Sequence, residues 1–197
     1  MTELECMNLM AIACQNNPLN DSDPNNDSEA SQYKPAIDRA RHEILSQNWF
    51  KWNSHLQTIE PDSNGDVKIP NRSGVINFMF DPTVNDTIVE KELGGALWNR
   101  QTNTKLTTSI NVLLADDTQF ELIPEKFAHW IAWRAAELMS FKLNGAEGNI
   151  GYIINEKRKA RSAALNSEPG NILGMSQFAA ISSGYANINN TSQSRSI

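Results

Sequence analysis

The chain has 197 residues, enough for one ordinary domain or one domain with an insertion and too few for most two-domain enzymes. Its 17 Lys and Arg against 23 Asp and Glu leave a net charge of −6, which argues against a chain built to neutralise phosphates along a duplex. A hydrophobic fraction of 40%, with 5 Trp and 7 Phe, supplies core material, and no apolar run approaches the ~18 residues of a membrane span.

The opening Met1-Thr2-Glu3-Leu4-Glu5 is acidic where a signal peptide is basic, so synthesis in the cytosol without export is expected. Thr2 and Glu5 form a capping-box pattern, which predicts a helix start. The helix is expected to end at Asn16-Asn17-Pro18, because Pro18 restricts the residue before it. Cys6 and Cys14 fall on this helix roughly 12 Å apart, too far for a bridge within it, and read as buried thiols. Residues 19–27 are Asn, Asp, Ser and Pro, whose side chains compete with helix for backbone partners, and read as an exposed loop. A second helix follows, capped by Ser28 or Ser31 with Pro35 in its first turn; Ile37, Ala40, Ile44 and Leu45 share one face.

After Asn48 the period changes. Residues 49–59 move toward alternation, Asn64-Gly65 supplies a turn, and Val67-Lys68-Ile69 alternates again, which predicts a β-hairpin. Short apolar pieces at 75–80, 87–89, 96–98 and 106–114 predict further strands of a small antiparallel sheet or barrel-like module. Helix resumes at Pro124 with Glu125 favourable at its N-terminus. Phe127, Trp130, Ile131, Ala135, Leu138 and Met139 form its main stripe, and Trp133 and Phe141 lie off it, so a second face has something to meet. Asn144-Gly145 stops it. A last helix over 151–165 carries Ile153, Ile154, Ala160, Ala164 and Leu165 inside, with Lys157, Arg158, Lys159 and Arg161 outside. The tail beyond Asn166 is rich in Ser, Asn, Gly and Ala, a composition that does not pack alone.

The expected fold class is therefore α+β. A helical bundle formed by the N- and C-terminal helices (1–48 and 124–165) receives a small antiparallel β module at 49–123 and ends in an extended low-complexity tail at 166–197. The 23 asparagines gather in the loop after the first helix, in the β turns and in the tail, and so mark surfaces.

Residue patterns for chemistry are sparse. His42, His55 and His129 fall in three different elements without Cys or carboxylate at metal spacing, so no metal is expected. Gly94-Gly95 and the glycines at 145, 148 and 151 lack a phosphate-cradle setting, and no cofactor is expected. Asp116-Asp117, or Glu90 with Glu92, offer the paired carboxylates that glycan cleavage needs, but in turn-like polar sequence. Trp49, Phe50 and Trp52 cannot all face one side of a strand, so at least one is expected to anchor the helices onto the β module. The basic group Lys157, Arg158, Lys159 and Arg161 is matched by a first stretch of 30 residues with acids and no base, a pairing suited to contacts between chains.

Several strings in this order resemble the tail tubular protein A family, the head-to-tail adaptors of short-tailed bacteriophages related to T7. They are Asn17-Pro18-Leu19-Asn20; the aromatic run from Gln47 to Asn53 leading to Ile59-Glu60-Pro61-Asp62 and Ile69-Pro70; the segment from Gly95 to Thr104; Leu122-Ile123-Pro124-Glu125; and Ala132-Trp133-Arg134-Ala135-Ala136. Together they cover about residues 4 to 175. The resemblance implies a structural virion protein without enzymatic activity. It further implies a ring of twelve copies in the neck of the tail, between the portal protein above and the nozzle protein below, as part of the DNA ejection conduit. Within that role Lys157, Arg158, Lys159, Arg161, Ile172, Leu173, Phe178 and Tyr185 are the candidate portal and subunit contacts. Two other readings compete: a carbohydrate-active tail module using Asp116 or Asp117, and a head-completion or neck protein of another phage type.

Overall fold

The computed structural model describes residues 1–23, 25–47, 50, 52–70, 72–80, 87–143 and 149–167. The fold is α+β: four helices and two small antiparallel sheets among the described residues. The chain divides into a helical unit, Met1–Gln47 with Thr118–Gly170, and a β unit that holds Asn48–Asp117.

The helical unit begins with α1, Glu3–Ala13, closed by the capping box: the Thr2 hydroxyl accepts from the Glu5 amide at 3.2 Å, and the Glu5 carboxylate accepts from the Thr2 amide at 2.7 Å. The Thr2 amide, ahead of smaller influences, holds the Glu5 carboxyl below its ordinary range. The helix stops earlier than Pro18. Gln15 takes the left-handed conformation at φ 62°, its amide reaches Ile12, and the Asn16 amide reaches Ala11 at 2.8 Å. That is a Schellman closure with glutamine where glycine is usual, and it ends α1 at Ala13 before proline has any effect.

In the following loop Asp21, Asp23 and Asp27 accept from neighbouring amides, as the composition predicts. Helix α2 spans Ala30–Gln47. Neither expected serine caps it through its hydroxyl: the Asp27 carboxylate accepts from the Glu29 amide just ahead of it, and Ser31 donates to the Ser28 carbonyl. Pro35 lies in the second turn, not the first, where it removes the amide that would reach Ser31.

Helix α3, Glu125–Leu143, packs against α1, α2 and the last helix, α4, Ile150–Asn166. Its Phe127, Ile131, Ala132, Ala135, Ala136 and Met139 are buried, and the alanines let neighbouring helices approach closely. Cys6, Met7 and Met10 of α1 and Tyr33, Ile37, Ala40, Ile44 and Leu45 of α2 complete this core, with Cys6 and Cys14 as buried free thiols. By contrast α4 buries only Ile153 and Ala164, and Ile154 and Leu165 stay half-buried.

In the β unit, β1 (Ser54–Ile59), β2 (Val75–Phe80) and β6 (Ile110–Asp116) form one sheet in the order β1-β6-β2. The second sheet is β3 (Ile88–Glu90), β4 (Leu97–Asn99) and β5 (Thr104–Lys105). The hairpin expected around Asn64-Gly65 does not form: β1 pairs antiparallel with β6, from Ser54 opposite Ala115 to Ile59 opposite Ile110. The turn itself is real, with Gly65 at φ 77° and the Asp62 carboxylate accepting the Asn64 and Asp66 amides. Val67 and Ile69 instead go into the apolar cluster, and Val67 offers its carbonyl to the Leu97 amide at 2.8 Å. On β6 Ile110, Val112 and Leu114 face that cluster while Leu113 and Ala115 face a second one, which explains an apolar run in a central strand. A bulge between Val75 and Asn77 shifts the alternation of β2, so that Val75 and Phe80 share a face.

Candidate functional site

The basic group on α4 does not form one outer face. Lys157 turns inward and its ammonium pairs with Glu137 at 2.6 Å. Glu137 also binds Arg134, whose guanidinium holds Glu43 of α2 at 2.9 Å. A chain of alternating charge therefore links α2, α3 and α4 and adds to the contact that α4 makes through Ile153 and Ala164. Burial would raise the Glu137 carboxyl, but the hydrogen bonds from Lys157 and Arg134 outweigh it and hold the group below its ordinary value. Burial likewise opposes the charge on Arg134, and its two carboxylate partners outweigh that effect, so its pKa is raised.

The remaining bases stay outside. Lys159 pairs with Glu156 at 2.7 Å along the same helix, Arg158 is exposed, and the Arg161 guanidinium lies 5.7 Å over the Trp130 ring. Ile172, Leu173, Phe178, Tyr185 and Trp49 lie outside the described residues. Phe50 is fully buried and stacks on Trp52, with ring centroids 5.8 Å apart and planes 6° from parallel.

The residue that organises the outer surface is Trp133, already off the main stripe in sequence. Its ring meets Tyr152 of α4 edge-on at 5.7 Å and separates two grooves. One groove, between α1 and the N-terminal end of α4, is lined by Leu9, Ile12, Ala13 and Tyr152, with Glu5 and Asn8 at its edge. There Ile12 is 63% exposed and Tyr152 51%, large apolar surface for a chain of this size to leave in water. The other groove, between α3 and α4, has Ala160 and Ala163 on its floor and Lys126, His129, Glu156 and Lys159 around it. Sequence reasoning missed Lys126, Ile12 and Tyr152; the off-stripe position of Trp133 was the available signal.

Neither groove brings a catalytic set together. His42, His55 and His129 sit on α2, β1 and α3, and among the described residues no three His, Cys, Asp or Glu side chains converge as metal ligands. Asp116 ends β6 and faces the exposed His55 at 3.4 Å, and Glu90 is tied to Arg72 at 3.3 Å and to the Gly94 amide.

The family model for tail tubular protein matches residues 4–171, through every helix and strand described above. The chain belongs to the tail tubular protein family. No curated protein matches it. As a family member it is a structural protein of a bacteriophage tail, a component of the virion. No helix among the described residues is long and apolar enough to cross a membrane. For a tail tubular protein, the exposed apolar surface around Trp133 is surface available to an assembly.

Proposed function

We propose that this tail tubular protein is the head-to-tail adaptor of its phage: one wedge of a ring, of twelve copies by family resemblance, seated between the portal and the tail nozzle. The observation that carries the reading is the family match over 4–171, a span that includes the first helix, the aromatic run, the β unit and the third helix. The chain has no chemistry of its own and contributes shape and charge. A ring of chains at −6 each presents an acidic body that repels a duplex within about a Debye length, ~8 Å at physiological salt, and so supports passage of DNA in preference to binding. The tail from Asn166 and the last helix dock to the portal, since a segment rich in small residues can thread between neighbours at an entropic cost.

Mixing the purified chain with its portal and imaging the product tests this. A ring-shaped layer on the portal supports the adaptor; absence of association at micromolar concentration removes it. Truncation at Asn166 separates the tail's role, because retained full portal affinity would assign docking elsewhere.

A further inference from the structure

Charge is unevenly placed along this chain. Residues 1–33 hold six carboxylates and no base, and two of these, Glu3 and Glu5, are occupied by Lys34 and by the α1 cap. The other four, Asp21, Asp23, Asp27 and Glu29, lie on the loop ahead of α2. There Asp23 and Glu29 are exposed and Asp21 and Asp27 half-buried. Amides of Asn20, Asp23, Asn25 and Glu29 hold the loop's shape and leave its negative charge in place. Among the described residues no base forms an ion pair with any of the four.

The α3–α4 groove, by contrast, offers an exposed lysine without an ion pair among the described residues. Lys126 on α3 and Lys159 on α4 line it together with His129, which lies 3.9 Å from Glu125, and with one acid, Glu156, which is taken up by Lys159 at 2.7 Å. Lys126 is exposed and in no ion pair among the described residues, and the side chain of Lys159 remains 65% exposed despite its local partner Glu156. Ala160 and Ala163, small side chains that leave room for a backbone segment, and Trp133 also line it. A polar, acidic, irregular segment fits this surface better than an apolar helix does.

Resting on the ring reading above, we propose that the α3–α4 groove receives the acidic loop 20–29 of a second copy of this chain. Donor and receptor surfaces differ, so the contact is head to tail and propagates around a ring instead of closing a dimer. Exposed charges at a rim set orientation and association rate, and Trp133 supplies the apolar contact beneath them.

The test uses the full chain assembled on its portal from a mixture of unlabelled and heavy-isotope-labelled copies. Carbodiimide joins a lysine amine to a carboxylate in contact with it. Mixed-isotope links from Lys126 or Lys159 to Asp23 or Glu29 are expected. Lys126→Glu with Lys159→Glu is expected to weaken assembly by about tenfold or more, Asp23→Lys with Glu29→Lys to do the same, and all four together in one chain to restore it. Links found only within single copies, or assembly that ignores both charge reversals, would overturn the contact while leaving the ring intact. If the wild-type chain forms no assembly on its portal, the adaptor reading fails and this contact fails with it.

Discussion

Gln15 shows how a single residue sets a boundary that composition hides. It occupies the left-handed position of a Schellman closure at φ 62°, where a side chain costs about 1–2 kcal/mol that glycine avoids. Gln15→Gly is expected to stabilise the chain by about 1 kcal/mol, after glycine's larger unfolded-state entropy is allowed for, and thermal denaturation reads this as a rise in Tm. Glu137 makes a second residue-scale prediction. Its folded-state pKa lies below the ordinary value of 4.5, so its contribution is fully present above that pH and is lost as pH falls through the folded value. Denaturation midpoints measured downward from pH 4.5 are expected to fall more steeply for the wild type than for Glu137→Gln; parallel curves would show that the carboxylate is not so held. The capping box at Thr2 and Glu5 was legible because its partners are three residues apart. Lys157 was not, since sequence gives four bases on one helix and only packing says which finds a carboxylate on a neighbouring helix.

At the scale of elements, helices were legible and strand partners were not. Periodicity along α2, α3 and α4 is local, whereas β1 finds β6 far along the chain, Ser54 opposite Ala115 and Ile59 opposite Ile110, and the Asn64-Gly65 turn signal holds without a strand to follow it. The apolar run 112–115 is explained only by β6 being central and covered on both faces. Leu113→Ala on that strand is expected to cost about 2–5 kcal/mol, whereas Leu93→Ala, 83% exposed, is expected to be close to neutral; urea denaturation separates them. Among the described residues, α4 buries the fewest apolar side chains of the four helices, Ile153 and Ala164. Lys157→Met leaves Glu137 with Arg134 as its remaining cation and is expected to cost about 1–3 kcal/mol, with the α4 amides losing hydrogen-exchange protection before those of α3.

For the whole molecule, the fold was legible in outline: helices from both ends of the chain and a β segment between them. The candidate site was legible only in part, because the off-stripe Trp133 announced a second face but its partner Tyr152 and the flanking Lys126 and Lys159 depend on how α3 and α4 are set together. Residues 1–33, with six acids and no base, and the lysines Lys126 and Lys159 at the α3–α4 groove are the charge asymmetry on which the proposed head-to-tail contact rests. The measurement that bears most directly on the adaptor role is the mass of the portal before and after incubation with the purified chain. The adaptor reading predicts a discrete increase equal to a closed ring of twelve chains, lying on the portal as a single layer; a portal of unchanged mass, with the chain remaining unbound at micromolar concentration, would contradict it.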